Sequence, residues 1–150
     1  MSDQEWTDPH CPVARTLDLL GDRWSLLIVR DAFDGVRRFS DFQRGLGIAR
    51  NILIDRLRAL IAVGVMERCP NERGTRSEYA LTEKGRDLFT VVVALRQWGE
   101  CHAFAPGEEH SELLARATGA PVPPLAVTAA DGAPLDAADT RVRKVAPVPK

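Results

Sequence analysis

The stretch that constrains this chain most is Ile48-Ala49-Arg50-Asn51-Ile52-Leu53-Ile54-Asp55-Arg56-Leu57-Arg58-Ala59-Leu60-Ile61. Its apolar positions 48, 52, 53, 57, 60 and 61 recur at helical spacing, leaving Arg50, Asn51, Asp55 and Arg58 toward another face. The spacing predicts an amphipathic helix over Ile48 to Val63 with a charged working side. Immediately before it, Phe39-Ser40-Asp41-Phe42-Gln43-Arg44-Gly45-Leu46 reads as a shorter helix held by Phe39, Phe42 and Leu46. Gly45 and Gly47 permit a tight connection between the two. Two helices joined by a short glycine-containing turn make a helix-turn-helix.

The residues that follow extend this unit. Val65-Met66-Glu67-Arg68-Cys69 and Ser77-Glu78-Tyr79-Ala80-Leu81 are predicted strands, and the polar, basic segment Pro70 to Arg76 is the loop between them. The expected fold is therefore mainly α with a small β-wing, a winged helix-turn-helix. Charge follows the same division. From Arg37 to Arg86 eleven Lys or Arg face six Asp or Glu, although the whole chain carries a net charge of only -1. A near-neutral chain is not an indiscriminate nucleic-acid binder, but concentrating its cations on a winged helix is the asymmetry a DNA-binding module needs.

At 150 residues with 45% hydrophobic content, the chain is long enough for a sizeable core. No apolar run approaches the roughly 20 residues that span a bilayer. The acidic start Met1-Ser2-Asp3-Gln4-Glu5 is unlike a signal peptide, so a cytoplasmic protein with no membrane partner is expected. Cys11, Cys69 and Cys101 are odd in number and widely spaced, which argues against a disulfide framework.

Residues 1–10 are expected to be a flexible arm, with Trp6 as an anchor, and residues 11–104 the DNA-binding and dimerisation domain. Cys11-Pro12 opens a helix whose stripe is Val13, Leu17 and Leu20, and Gly21 ends it. Asp22 is placed to cap the next helix, Arg23 to Phe33, with Trp24, Leu27, Ile28 and Val29 as core candidates. Thr82 caps a last long helix in which Leu88, Val91, Val92, Leu95, Trp98 and Gly99 recur every three or four residues. Such a face either packs on the first helices of the same subunit or forms a two-fold dimer. The second reading assigns Val13, Leu17, Leu88, Val92, Leu95 and Trp98 to a homodimer interface.

Cys11-Pro12-Val13, Gly21-Asp22-Arg23-Trp24-Ser25-Leu26-Leu27-Ile28, Arg38-Phe39-Ser40-Asp41-Phe42, Ile48-Ala49-Arg50-Asn51-Ile52-Leu53, Arg56-Leu57, Gly64-Val65 and Glu78-Tyr79-Ala80-Leu81-Thr82-Glu83-Lys84-Gly85 closely resemble the HxlR family of bacterial winged-helix regulators. The resemblance covers about residues 11 to 102. It implies a homodimeric transcription factor, usually a repressor, whose partner is a roughly palindromic double-stranded DNA operator.

In such a complex the start of the recognition helix enters the major groove. Arg50 and Asn51 are then the candidates for base edges, since Arg suits guanine and Asn suits adenine. Arg37, Arg38, Ser40, Arg73, Thr75 and Arg76 are the candidates for phosphate contacts, which fix register without reading sequence. Arg56, next to Leu57 on the inward edge, is expected to pair within the domain.

Cys11 is the candidate redox sensor, because a thiol at a helix N-terminus meets unpaired N–H groups and the positive end of the dipole, which favour thiolate. Some members of the family it resembles sense oxidants or electrophiles through the matching cysteine; the alternative is a small capping residue. A small-molecule effector bound near Trp24, Trp98 or Phe104 is a further reading, although such aromatics more commonly belong to cores. His10-Cys11 and Cys101-His102 invite a metal-site reading, but adjacent side chains point apart and no ligand spacing supports it. No metal or other cofactor is expected.

Residues 105–150 differ in kind, holding seven of the ten prolines. Leu125 to Thr128, a turn at Ala129-Ala130-Asp131-Gly132 and Pro134-Leu135 predict a small hairpin. Longer relatives in the resembled family carry Cys and His here at metal-ligand spacing. The matching positions in this chain are Thr118, Ala120, Thr128 and Asp131, so the segment reads as a zinc-ribbon-like hairpin without ligands. An enzyme is the least supported class: Gly45-Leu46-Gly47 is only a fragment of a phosphate loop, and no nucleophile–base pair stands out. A winged-helix protein-interaction module without specific DNA binding is the alternative, and it leaves the arginine-rich wing unexplained.

Overall fold

A computed structural model describes residues 4–146. In chain order the elements are α1 (Pro12–Leu20), α2 (Ser25–Phe33), α3 (Phe39–Leu46), α4 (Arg50–Ala62), β1 (Met66–Pro70), β2 (Ser77–Leu81), α5 (Glu83–Arg86), α6 (Phe89–His102) and a 3-10 turn at Ala137–Asp139. They form two compact units that meet between Val92 and Val93, within α6. The first unit is a winged helix-turn-helix, mainly α with a two-stranded wing. Its core joins Leu20, Ile28, Val29, Phe42, Ile48, Leu53, Leu57, Leu60, Val65 and Met66 in one cluster. Every helix from α1 to α4 and the first wing strand therefore contribute to the same apolar interior.

Local signals end α1, α2 and α3 where the sequence suggests. Gly21 carries the α1 C-cap N–H to the Leu17 carbonyl, and a Cβ there would lie 2.3 Å from that oxygen. Asp22 accepts hydrogen bonds from the N–H groups of Trp24 and Ser25 at 2.9 and 3.0 Å and from the Ser25 hydroxyl. Two of the donors that the start of α2 would leave unpaired are thus satisfied. Gly47, at φ 62, closes α3 in the left-handed conformation that only glycine adopts without strain, and donates to the Gln43 carbonyl. At the far end of α4, Lys84 Nζ donates to the Val63 carbonyl at 2.6 Å, a cation on the negative end of the helix.

Helix α4 begins two residues later than its periodicity predicts. Ala49 is extended (φ -63, ψ 140) and serves as N-cap, while Ile48 is buried just outside the helix. The inward face is then set by Leu53, Leu57 and Leu60, all essentially inaccessible. Ile52, expected in the same stripe, is 43% exposed. At about 100° per residue, a helix phased on those three leucines turns position 52 away from the core.

The long C-terminal helix is also divided. Leu88 N–H donates to the Gly85 carbonyl at 3.1 Å, a tight i to i-3 turn that separates α5 from α6. Gly85 is buried against the wing, where a Cβ would stand 2.1 Å from the Val65 carbonyl oxygen. Thr82 fixes this corner: its N–H donates to Val65, its hydroxyl donates to the Gly64 carbonyl, and the same oxygen accepts from Gly85 N–H at 3.1 Å.

Ahead of α1, the segment expected to be a flexible arm makes defined contacts. Thr7 donates through N–H and hydroxyl to Asp18 at 2.9 and 2.8 Å, and the Arg15 guanidinium stacks 4.6 Å from the Trp6 ring centroid.

The second unit holds most of α6 and the proline-rich segment. Residues 93, 96, 97 and 100 share one side of α6, and two of them clamp the segment's backbone. Gln97 donates to the Pro123 carbonyl at 3.0 Å and accepts from Leu125 N–H at 2.7 Å, and Arg96 reaches the Ser111 carbonyl and hydroxyl at 3.0 and 2.9 Å. The predicted hairpin is present as a bridge between Thr128 and Pro134, and a second bridge joins Leu114 and Pro121. Each closes a turn on a left-handed glycine, Gly132 (φ 85) and Gly119 (φ 68). Among the described residues there is no group of three His, Cys, Asp or Glu placed to hold a metal, and no helix is long and apolar enough to cross a membrane.

Candidate nucleic-acid interface

The wing is an antiparallel pair in which Met66 faces Leu81, Arg68 faces Tyr79 and Pro70 faces Ser77. One asparagine organises its tip. Asn71 Oδ1 accepts from the N–H of Thr75 at 2.9 Å and of Arg76 at 3.4 Å, Nδ2 donates to Thr75 Oγ1 at 3.2 Å, and Asn71 N–H donates to the Arg76 carbonyl at 2.8 Å. Gly74, at φ 68, supplies the left-handed step of the turn. A loop tied in this way presents its arginines from a fixed base. Thr75 belongs to that base, since its hydroxyl already takes a hydrogen bond from Asn71.

Between this tip and the start of α3 lies an open groove of about 1020 Å³ lined by Arg37, Arg38, Arg73, Thr75 and Arg76, together with Pro70, Asn71, Glu72 and Glu78. Five of the six residues expected to touch phosphate are brought together here. The sixth, Ser40, is exposed in the first turn of α3 but outside the groove lining. The four arginines outnumber the two glutamates, so the groove carries a net positive charge.

Arg37 is not free in this groove. Its Nε donates to Glu78 Oε2 at 2.7 Å and an Nη donates to Cys69 Sγ at 3.4 Å. The Glu78 hydrogen bond, working against slight desolvation, holds the guanidinium above its ordinary pKa. Its carbonyl also accepts from Tyr79 N–H at 2.8 Å, so Arg37 joins the loop before α3 to the wing.

A second groove, about 480 Å³, separates α4 from the wing and is lined by Phe39, Arg50, Ile54, Leu57, Arg58, Ile61, Arg68, Arg76, Ser77 and Tyr79. Arg50 lies with its guanidinium 5.1 Å from the Phe39 ring, and Arg68 lies 5.7 Å from the Tyr79 ring. Such stacking holds a cation in place without neutralising it. The sequence places Arg58 on the charged side of α4 but offers no sign that Arg68 stands opposite it, because the alternation that sends Met66 inward says nothing of how close β1 comes to α4. Asn51 is exposed beside Arg50 but does not line this groove.

Arg56 pairs within the domain, as expected, with Nη1 3.5 Å from Asp22 Oδ2. Burial works to raise the Asp22 carboxyl, but hydrogen bonds from Ser25 and from the N–H groups of Trp24 and Ser25, with the charge of Arg56, hold it below its ordinary value. Cys11 is the N-cap of α1, its sulfur accepting from Ala14 N–H at 3.4 Å, and it is half-buried.

The residues assigned to a dimer interface separate into two groups. Leu88 and Val92 pack on the core of the first unit, whereas Val13 and Leu17 on α1 are exposed, as are Leu95 and Trp98 on α6. Of the aromatics considered for an effector pocket, Trp24 also packs on the core, and Trp98 and Phe104 are exposed.

Residues 19–105 match the model of the HxlR-like helix-turn-helix family. The chain belongs to this family. The match includes both grooves and all of α3, α4 and the wing of this HxlR-like chain. It is 54% identical over 89 residues to an uncharacterised HTH-type transcriptional regulator of Mycobacterium tuberculosis, covering 59% of this chain and 56% of that relative. The chain therefore spans little more than half the length of this curated relative. Among solved structures, PA1607, described as a candidate transcription factor, superposes with a TM-score of 0.88 at 57% identity, covering 91% of this chain and 96% of its own. The redox regulator HypR in its oxidised form superposes with a TM-score of 0.57 at 35% identity, covering 63% of this chain and 100% of its own.

Proposed function

We propose that this HxlR-like chain is a cytoplasmic DNA-binding transcriptional regulator, a homodimeric repressor of a palindromic operator. The observation that carries this reading is the groove that gathers Arg37, Arg38, Arg73 and Arg76 beside the helix-turn-helix. Arg73 and Arg76 from the wing and Arg38 from the start of α3 hold phosphates, and Arg37 adds the donors that Glu78 leaves open. Arg50 and Asn51, in the first turn of α4, read base edges in the major groove. The relatives support it, being named as helix-turn-helix transcriptional regulators.

Dimerisation uses the exposed apolar residues Val13 and Leu17 of α1 and Leu95 and Trp98 of α6, which otherwise stand in water. Release from DNA follows either oxidation or alkylation of Cys11 or binding of a small molecule. The cysteine's seat at a helix N-terminus supports the first, as does the likeness to HypR, a redox regulator. The two glycine turns of the C-terminal segment support reading it as a ribbon that folds on Gln97 and Arg96 instead of a metal.

Fluorescence anisotropy tests the reading: the reduced protein is titrated against its own upstream intergenic DNA and a scrambled duplex over a salt series. Preferential, salt-dependent binding at dimer stoichiometry is expected. No binding to either duplex at low salt would favour a winged-helix interaction module instead.

A further inference from the structure

Between Leu17 and Phe89, Ile52 is the one large apolar side chain that the described residues leave exposed, at 43%. It follows Arg50 and Asn51 in the first turn of α4, and Asp55 and Ala59 continue the same outward surface one and two turns later. The wing-side groove takes Arg50, Ile54, Arg58 and Ile61 from this helix but not Ile52. At about 100° per residue, Ile52 lies roughly 160° around the axis from Arg50. The outward surface of α4 therefore has two unlike flanks: one toward the wing that carries free cations, and one away from it formed by Ile52 and Ala59, where the intervening Arg56 is held by Asp22.

A single exposed isoleucine is ordinary on a protein surface. Its position gives this one meaning. Resting on the DNA-binding reading above, the first turn of α4 enters the major groove with Ile52 on its flank away from the wing, and there the apolar group offered by unmodified base pairs is the C5-methyl of thymine. Arginine, asparagine and aspartate on the same helix can exchange hydrogen bonds with base edges; none of them gains from a methyl group as a branched hydrocarbon does.

We infer that Ile52 is a specificity-determining residue that selects thymine through its C5-methyl group, on the side of the recognition helix away from the wing. The contact buries hydrocarbon on both partners and makes no hydrogen bond. It discriminates against cytosine, which lacks the methyl, and against purines, which present polar edges at that place.

The experiment uses full-length protein and duplexes it enriches from a randomised library, each thymine then replaced in turn by deoxyuridine, which removes only the methyl. For the wild type, one thymine per half-site should lose roughly fourfold in affinity on replacement, the worth of one buried methyl. Ile52→Ala should bind the thymine duplex more weakly and be indifferent to uracil at that position, while Ile52→Val retains the preference. An enriched duplex that tolerates uracil everywhere, or an Ile52→Ala protein with an undiminished uracil penalty, overturns the assignment while leaving DNA binding intact. Failure to enrich any sequence overturns the DNA-reading function itself, and the assignment with it. Because Ile52 lies outside the core, unchanged thermal melts of both variants separate loss of reading from loss of fold.

Discussion

Arg37 and Glu78 are joined by a 2.7 Å hydrogen-bonded ion pair at one side of the basic groove, linking the loop before α3 to the returning wing strand. The carboxylate reduces the charge the groove offers to phosphate and at the same time fixes where the guanidinium stands. Arg37 is half-exposed, so the pair contributes at most about 1 kcal/mol to stability.

Replacing Glu78 with Gln should therefore leave folding nearly unchanged and strengthen binding to any duplex. One additional phosphate contact steepens the slope of log affinity against log salt by about 0.9. Anisotropy titrations over a salt series measure this directly. A weaker complex with an unchanged slope would mean that Glu78 serves to position Arg37 and that its removal costs more than the released charge returns.

Arg50 and the wing arginines should fail differently. Arg50→Ala should reduce discrimination between enriched and scrambled duplexes by about 1–3 kcal/mol. Arg73→Ala or Arg76→Ala should weaken both complexes alike and flatten the salt dependence. Indistinguishable effects of all three changes on the two duplexes would refute the division between base reading and phosphate anchoring.

Asp22 makes stability depend on acid. Its carboxyl titrates below the ordinary 3.8 in the folded state, so its stabilisation is fully present above that value and is lost as pH falls through the lower folded value. Asp22→Ala should lower stability at neutral pH by roughly 0.5–2 kcal/mol, as loss of a capping side chain does. It should also flatten the wild type's decline in melting temperature below about pH 4. An equally steep acid decline in the variant would place that titration elsewhere.

A charge at Trp98, which is 66% exposed in the single chain, should separate the subunits. Trp98→Glu is expected to sediment as a monomer with its helical circular dichroism intact and to bind an operator at least tenfold more weakly, since two linked half-site readers gain from effective concentration. A dimer that survives this change would place the interface elsewhere.

Cys11 offers a direct test of redox control. Mild oxidation or an electrophile should release wild-type protein from DNA and leave Cys11→Ser bound. Loss of binding by the serine variant under the same treatment would exclude Cys11 as the switch, leaving Cys69, which touches Arg37 at 3.4 Å, or Cys101.

The elements of the winged helix-turn-helix unit were legible in the sequence because each rests on local physics. Helical spacing marks α3 and α4, alternation and a polar loop mark the wing, and Gly21 and Gly47 end helices through their own backbone freedom or close approach. The concentration of arginine on that unit could likewise be counted along the chain. Periodicity identifies a stripe, but only the neighbouring elements fix its phase: Leu53, Leu57 and Leu60 filled the core and left Ile52 outside. For the same reason Leu88 and Val92 turned toward the core while Leu95 and Trp98 did not, once the tight turn at Leu88 had separated α5 from α6. The Arg37–Glu78 pair, the approach of Arg68 to α4 and the hold of Gln97 on Pro123 and Leu125 join residues distant in sequence. No local preference encodes such pairs; the first two exist because packing the apolar core of the first unit brings their backbones within hydrogen-bonding or stacking reach, and the third because the proline-rich segment folds back on α6.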